Sequence, residues 1–377
     1  MYKIMTPGPV QVPENVRLAR SRATTNADLD PVFFEEYKET CELISKELHT
    51  KNETLILSGE GILGLEAACA SLTEPGDKVL VLDNGIYGKG FADFVSMYGG
   101  RPVLYTTDDR KEIDVDTLNS YLQKNHDFKY ATLVHCDTPS GMLNDIHRIC
   151  PLLKSYGILT VVDSVSGMFG NEVDVEKAKI DLLCGGSQKA VSAPPGLTFV
   201  TLSEDAKHVM ENRKIPIASF YCNLTTFKGY YENKWFPYTM PISDIYGLKA
   251  AMENIRDDKN LYERHRRIAK ATREALKAAG IKLHLESGFS DTVTVFDVPQ
   301  GMTADAILNR MLCKHGIMLA GSFGELAGKV IRIGHMGANA NEADMLAVMA
   351  ALEETLHFLE YTGKESILKK FQEFLYM

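Results

Sequence analysis

The segments ILTVVDS at residues 158–164 and DLLCGGSQKA at residues 181–190 each place polar side chains directly after a short apolar run. Unbroken apolar runs of this length are typical of strands in a parallel sheet that helices cover on both faces. The alternation of such runs with helix-like stretches predicts an α/β fold, with a mainly parallel seven-stranded sheet between helices in a large domain. The predicted strands lie at residues 54–57, 78–82, 102–105, 130–135, 158–162, 180–184 and 197–202, and the predicted helices at residues 63–72, 89–98, 115–123 and 146–156.

The pattern changes after about residue 243. Long amphipathic stretches at residues 244–256 and 260–279 precede a mixture of short strands and helices, at residues 292–296, 304–314, 330–333 and 341–361. Because this pattern of predicted helices and strands differs from that of the preceding residues, we predict a large domain at residues 21–255 and a smaller C-terminal α/β domain at residues 256–377.

The composition excludes several classes of protein. The 377 residues are 45% hydrophobic and 24% charged, as in ordinary globular proteins, which argues against a fibrous or disordered chain. The net charge of −9 disfavours a nucleic-acid partner, and no apolar run approaches the roughly 18 residues that a membrane span needs. Pro7 and Pro9 stand where a signal peptide would be apolar, and the seven cysteines form no CxxC pair, so we expect free thiols in a reducing cytoplasm.

The segment SGEGILG at residues 58–64 follows a predicted strand and opens a predicted helix. Backbone N–H groups at a helix N-terminus bind anionic oxygens, and glycine lets a ligand approach closely. The segment also matches the dinucleotide fingerprint G-x-G-x-x-G, and Asp83 lies where a ribose-binding acid would be expected. A phosphate cradle, a dinucleotide site and a tight turn without a ligand are all compatible with this segment taken alone.

Three further residues could carry chemistry. Asp163 ends a predicted buried strand, where ligands of parallel sheets bind, although a helix cap is the simpler reason for an acid there. Lys189 follows a buried strand and a small-residue loop, so burial could lower the pKa of its amine and make it a nucleophile, whereas most lysines lie on the surface. Arg332 interrupts an apolar run, where it could hold a carboxylate through two parallel hydrogen bonds or occupy an exposed edge strand.

The combination of these features matches the needs of pyridoxal 5'-phosphate. Its aldehyde requires an amine, its ring nitrogen requires a carboxylate, and its phosphate requires N–H donors. An amino-acid substrate also needs its carboxylate held so that the Cα–H bond points across the ring. An NAD-dependent oxidoreductase, the alternative from another class, would leave Lys189, Asp163 and Arg332 without a role. A non-catalytic binding protein with a vestigial site is disfavoured, because the lysine, the acid and the arginine that such chemistry needs are all present.

The chain resembles the class V aminotransferases of fold type I, and most closely their alanine/serine–glyoxylate (serine–pyruvate) branch. The resemblance runs from TPGP at residues 6–9 to RIG at residues 332–334, and its most specific pieces are VDSVS at residues 162–166, GSQKA at 186–190 and APPG at 193–196. It implies pyridoxal-phosphate-dependent transamination between alanine or serine and glyoxylate or pyruvate, by a ping-pong mechanism. It also implies a homodimer with the active site at the interface, and an N-terminal segment, residues 1–20, that contributes to the small domain and the site.

The resemblance assigns roles to individual residues. Lys189 would be the Schiff-base lysine and the proton shuttle, and Asp163 would pair with the pyridine nitrogen. Arg332 would clamp the substrate carboxylate near Gly8. The remaining residues that would hold the cofactor are Tyr87 on the ring face, Thr138 at the phenolic oxygen, Gly61, Ile62 and Gln188 at the phosphate, and Thr239, which would reach the phosphate from the partner subunit.

Three departures from the family pattern bear on the substrate. Glu60 stands where a small polar residue is usual, and its carboxylate would repel a phosphate unless it points away. Phe236 replaces a phosphate-binding tyrosine whose hydrogen bond Tyr238 could supply, and Pro139 and Ser140 replace a more usual Ser/Thr pair. Two alternatives within the same fold are a 2-aminoethylphosphonate–pyruvate aminotransferase, which shares the TPGP and G-x-Y-G patterns, and an aminotransferase that acts on a ureido-amino acid.

Overall fold

The computed structural model describes residues 2–377 and is built around one seven-stranded sheet. In chain order the strands are β1 (Glu53–Ser58), β2 (Lys78–Asp83), β3 (Arg101–Thr106), β4 (Tyr130–Val134), β5 (Leu159–Asp163), β6 (Leu182–Gly186) and β7 (Leu197–Leu202). Their order across the sheet is β1-β7-β6-β5-β4-β2-β3. Strand β7 runs antiparallel to both of its neighbours, and the other pairs are parallel. The predicted α/β fold with a mainly parallel seven-stranded sheet is therefore confirmed.

Helices supply most of the connections between the parallel strands. Every residue of β4, β5, β6 and β7 is buried, because other elements cover both faces of the middle of the sheet. The helices are α1 (Glu14–Ala19), α2 (Pro31–Glu47), α3 (Gly61–Leu72), α4 (Ile86–Met97), α5 (Val115–Leu122), α6 (Ile146–Ser155), α7 (Val175–Ala178), α8 (Glu204–Glu211), α9 (Ile242–Asp257), α10 (Leu261–Ala278), α11 (Ala304–His315), α12 (Glu342–Phe358) and α13 (Ile367–Leu375).

A second hydrophobic core lies in the C-terminal part of the chain. Strands β8 (Val293–Asp297) and β9 (Val330–Gly334) pair antiparallel, and side chains from α10 to α13 pack with them in a cluster separate from the core of the large sheet. The N-terminal segment joins this second core, because Lys3–Ile4 pairs in parallel with Ile317–Met318 and Met5 is buried in the cluster. The domain limits at residues 255 and 256 stay a prediction.

The sheet brings two polar segments to one edge. Strands β5 and β6 are parallel with Asp163 opposite Cys184, so Asp163 and the loop that follows β6 emerge at the same end of the sheet. Since β7 is antiparallel to β6, the chain returns through a short turn instead of a crossover helix. The Ser187 hydroxyl donates to the carbonyl of Pro194 at 2.6 Å, and the backbone N–H of Ser192 donates to the carbonyl of Lys189 at 2.9 Å. These bonds fix the loop that carries Lys189.

Five helices of the structure were not predicted from the sequence: α1, α2, α7, α8 and α13. Helix α2 nevertheless begins with recognisable signals, because the Asp30 side chain accepts a hydrogen bond from the N–H of Val32 and Pro31 occupies the first helical position. Within residues 2–377, no helix combines the length and the apolar character that crossing a membrane requires.

Candidate active site

A cleft at the carboxyl ends of the parallel strands gathers most of the residues predicted from the sequence. The loops that follow β4, β5 and β6 form its floor, and the first turns of α3 and α4 and the N-terminal segment form its walls. Eight of the ten predicted site residues line it: Gly8, Gly61, Ile62, Tyr87, Thr138, Asp163, Gln188 and Lys189. Arg332 and Thr239 lie outside this lining.

Lys189 is held by the N-terminal segment. Its Nζ atom donates a hydrogen bond to the carbonyl of Pro7 at 2.6 Å. Gly8 has a φ of +101°, and a Cβ atom at this position would lie only 2.3 Å from Cδ of Lys189. Burial, together with the nearby positive charge of Arg332, lowers the pKa of the Lys189 amine to about 8. A larger fraction of this amine than of an ordinary lysine is therefore neutral, and available as a nucleophile or a base, near neutral pH.

Asp163 presents a buried carboxylate to the same cleft. Its side chain is 4% exposed and accepts a hydrogen bond from the backbone N–H of Val165 at 2.9 Å. Burial raises the pKa of this carboxyl to about 7, and the negative charges of Asp137 and Glu60 act in the same direction. A cationic N–H donor beside Asp163 would supply the charge that the site lacks and would hold the carboxyl ionised.

Two predicted cofactor contacts stand on either side of Asp137. Tyr87 lies in the first turn of α4, and its backbone N–H donates to the Asp137 carboxylate at 3.0 Å. Thr138 follows Asp137 directly, and its hydroxyl forms a hydrogen bond with the hydroxyl of Ser166. Ser166 ends the motif VDSVS and Asp137 directly precedes Thr138, but the sequence predicted no role for either residue. Their signal was present, as polar residues directly beside predicted site residues.

The N-terminus of α3 already has an anionic partner. The Glu60 carboxylate accepts a hydrogen bond from the N–H of Ile62 at 3.2 Å and one from the side-chain amide of Gln188 at 3.4 Å. The other side-chain atom of Gln188, its carbonyl oxygen, is buried without a hydrogen-bond partner. Gly61 lets the start of α3 approach the loop after β5 closely, since a Cβ atom there would lie 2.8 Å from a methyl group of Val165. The predicted phosphate donors of Ile62 and Gln188 therefore converge, but they bind the carboxylate of Glu60, a residue that departs from the family pattern.

Arg332 approaches the cleft from β9. Its Nε atom donates to the carbonyl of Gly321 at 2.5 Å, and a terminal nitrogen donates to the carbonyl of Thr138 at 3.4 Å. The guanidinium lies 5.8 Å from the centre of the Phe323 ring, and that ring meets Tyr87 edge to face with 6.1 Å between the ring centres. Sequence patterns gave no sign of Phe323, because it lies in a loop without a motif.

Phe236, the second departure from the family pattern, lies in an aromatic cluster. The Phe236 ring stacks on Phe34 with 4.5 Å between the ring centres, and both rings are buried. Phe236 therefore contributes to the core, while the Thr239 hydroxyl lies 3.5 Å from a carboxylate oxygen of Asp28 in the same chain. Whether Thr239 reaches the phosphate of a partner subunit stays a prediction.

Comparison with known proteins identifies the family. The family model described as aminotransferase class-V matches residues 20–344. The chain belongs to the class V aminotransferases. The aminotransferase is 33% identical to a pyridoxamine–pyruvate transaminase of Mesorhizobium japonicum, over 92% of this chain and 90% of the relative. It is 30% identical to an alanine–glyoxylate aminotransferase of Callithrix jacchus, over 94% and 87% of the two chains.

A solved structure of the same fold supports the assignment. The ureidoglycine–glyoxylate aminotransferase of Bacillus subtilis superposes with a TM-score of 0.95 at 29% identity, covering 100% of this aminotransferase and 98% of the other chain. Relatives of this aminotransferase thus transfer amino groups to glyoxylate or pyruvate. Membership of the family makes the dinucleotide interpretation of residues 58–64 wrong, and it makes a non-catalytic binding protein the wrong class.

Pyridoxal 5'-phosphate is the cofactor of the family and of this aminotransferase. The cleft fits its reactive end, because the Lys189 amine can reach an aldehyde and the buried Asp163 carboxylate lacks a cationic partner. The N–H groups at the start of α3 fit an anion. A phosphate can take these donors once the Glu60 side chain has turned away from Ile62 and Gln188.

Proposed function

We propose that the aminotransferase exchanges the amino group of alanine or serine with glyoxylate or pyruvate by a ping-pong mechanism. One observation carries this proposal. The Lys189 amine, whose pKa is lowered, and the buried Asp163 carboxylate face one cleft, and the Arg332 guanidinium lies close by. Small substrate side chains are expected beside Arg332, because the Phe323 ring lies near its guanidinium and contacts the Tyr87 ring.

Arg332, Lys189 and Asp163 each have a definite task in this proposal. Arg332 binds the carboxylate of the incoming amino acid, and this contact orients the Cα–H bond toward Lys189. The Lys189 amine, once free, takes the proton from Cα as general base and later returns one as general acid. Asp163 keeps a proton on the pyridine nitrogen, and the protonated ring supplies an electron sink for the reaction.

The surrounding residues hold the ring and its phosphate. Tyr87 covers one ring face, and Thr138 donates to the phenolic oxygen. The N–H groups of Gly61 and Ile62 and the amide of Gln188 bind the phosphate. Support for these contacts comes from their shared position on the lining of the cleft.

The assembly and the cellular setting also belong to the proposal. We propose a homodimer in which Thr239 completes the phosphate site of the partner subunit. We further propose a reducing cytoplasm, since all seven cysteines are free and only Cys313 is exposed.

The proposal is tested by a screen of single half-reactions. The protein, loaded with pyridoxal phosphate, is mixed with alanine, serine, a ureido-amino acid or 2-aminoethylphosphonate, and the visible absorption of the bound cofactor is followed. We expect conversion by alanine or serine, no conversion in Lys189→Ala, and full conversion in the control Lys329→Ala, whose side chain is exposed. Conversion only by 2-aminoethylphosphonate or the ureido-amino acid would replace the proposed donor.

A second candidate function is supported by the position of Glu60. The carboxylate sits on the phosphate donors themselves, and two unit charges of like sign 4 Å apart repel by about 1 kcal/mol even in water. A ring that carries a hydroxymethyl group in place of the phosphate would instead donate a hydrogen bond to Glu60. By analogy with the relative from Mesorhizobium japonicum, pyridoxamine would then occupy the cleft as the amino donor, with pyruvate as the acceptor.

Binding constants for pyridoxal and pyridoxal phosphate separate the two candidates. If pyridoxamine is the donor, the unaltered protein binds pyridoxal at least as tightly as pyridoxal phosphate. Glu60→Gln then improves the affinity for pyridoxal phosphate by about fivefold while leaving that for pyridoxal unchanged or weaker. Asp114→Asn, which alters the carboxylate cap of α5, should change neither constant. A clear preference for pyridoxal phosphate that Glu60→Gln does not increase would dismiss this second candidate.

A further inference from the structure

Asp137 is a buried carboxylate outside the lining of the cleft, and it nevertheless contacts both a wall and the floor of the cleft. It follows β4, and only 1% of its surface is exposed. One of its oxygens accepts the N–H of Tyr87 at 3.0 Å. The other accepts the N–H of Ser140 at 3.2 Å and the hydroxyl of Ser140 at 2.7 Å. One side chain thus joins the first turn of α4 to the turn at residues 138–141.

The segment before α4 is adapted to this contact. A Cβ atom at Gly85 would lie 2.6 Å from the carboxyl carbon of Asp137, so a larger residue at position 85 would displace the carboxylate. The N-terminus of α4 also favours a negative charge, because its first N–H groups have no partner within the helix. The close approach of the Asp137 carboxylate therefore explains Gly85, the first glycine of the sequence NGIYG at residues 84–88.

We propose that Asp137 is a positioning residue, which sets the height of the Tyr87 ring above the cofactor by holding the backbone of Tyr87. The inference rests on the proposed function, which places the pyridine ring against Tyr87. Asp137 itself is expected to touch neither the cofactor nor the substrate, since it does not line the cleft. Its effect on binding therefore passes through the position of the aromatic side chain.

A double-mutant cycle distinguishes this role from a merely structural one. The dissociation constants of pyridoxal phosphate and of pyridoxal are measured by protein fluorescence in the unaltered protein, Asp137→Asn, Tyr87→Ala and the double variant. We expect Asp137→Asn to weaken binding by about tenfold, and by less than about threefold when Tyr87→Ala is already present. A structural defect would weaken binding by the same factor in both backgrounds, and that result would overturn the inference, as would unaltered binding in Asp137→Asn.

Two further variants keep the test decisive. If Asp137→Asn does not fold, Ser140→Ala removes one donor to the carboxylate and should show the same dependence on Tyr87, with a smaller factor. Asp174→Asn, which alters the carboxylate cap of α7, is the control for loss of a carboxylate at a helix N-terminus and should leave both dissociation constants unchanged. An unaltered protein that binds neither ring would refute the proposed function and the inference together. Normal binding with equal factors in the two backgrounds would refute the inference alone.

Discussion

Replacing Gly8 by alanine is expected to disable Lys189 while largely preserving the fold. The added Cβ atom would lie 2.3 Å from Cδ and 2.7 Å from Nζ of Lys189, whereas carbon atoms in contact are normally about 3.5 Å apart or more. The lysine side chain would have to move by roughly 1 Å, which breaks the 2.6 Å hydrogen bond to Pro7. Because Gly8 has a φ of +101°, alanine would also cost about 1–2 kcal/mol of backbone strain.

The consequence for catalysis follows from the size of this displacement. A misplacement of about 1 Å in a reacting group can lower a rate roughly 100-fold. The single-turnover rate of the half-reaction with the best donor is measured by the visible absorption of the bound cofactor, and the free energy of unfolding by urea titration. We expect Gly8→Ala to lose roughly 100-fold in rate and about 1–2 kcal/mol in stability.

Gly76 supplies the matched control for this experiment. It has a φ of +91°, and no atom lies within 4 Å of a Cβ built on it, so Gly76→Ala introduces similar backbone strain without touching the cleft. It should lose stability but keep its rate. Equal rates for Gly8→Ala and Gly76→Ala would refute the reasoning, because the contact with Lys189 would then have no effect on the amine.

Three further predictions concern the cleft. Burial lowers the pKa of the Lys189 amine to about 8. The cofactor-free protein should therefore react with pyridoxal phosphate faster as the pH rises and the amine loses its proton, with an inflection near pH 8. A rate that does not change with pH would contradict the lowered pKa. Asp163→Asn should lower kcat roughly 100-fold or more while the cofactor still binds, because a neutral amide cannot keep a proton on the pyridine nitrogen, and an unchanged kcat would exclude that pairing. Phe323→Ala should improve kcat/KM for oxo acids longer than pyruvate by about tenfold relative to pyruvate, because it removes the ring beside Arg332. The control Phe358→Ala, which removes an exposed ring, should not change this selectivity. Equal selectivity in the two variants would show that Phe323 does not limit substrate size.

The architecture was predictable because its signals are local and repeated. The middle strands of the large sheet are short apolar runs, and burial on both faces requires such runs. Helix α2 escaped the periodicity argument, although Asp30 and Pro31 mark its beginning. The reversed direction of β7 also has no signature in its residues, because direction depends on which neighbour a strand joins.

The candidate site was predictable to the extent that its residues follow strands or open helices. Asp163 and Lys189 lie at one edge of the sheet because β5 and β6 are parallel, and the sequence indicates both strand ends. The contacts of Glu60 and Phe323 could not be predicted in the same way, since they depend on side-chain orientation and on a loop from a distant part of the chain. The carboxylate of Glu60 was recognised as unusual, but only the structure shows that it binds the intended phosphate donors.

The N-terminal segment connects the reactive amine to the C-terminal core. The N–H of Met5 donates to the carbonyl of Met318 at 2.9 Å, and the carbonyl of Met5 accepts from the N–H of Gly334 at 2.8 Å. Both backbone groups of Met5 are therefore bound to the second core. Two residues later, the Pro7 carbonyl accepts the hydrogen bond of Lys189. This short link leaves little slack, so a displacement of the C-terminal core relative to the sheet would alter the length of that hydrogen bond. The protonation and reach of the amine are thereby coupled mechanically to a part of the protein that contributes no base of its own.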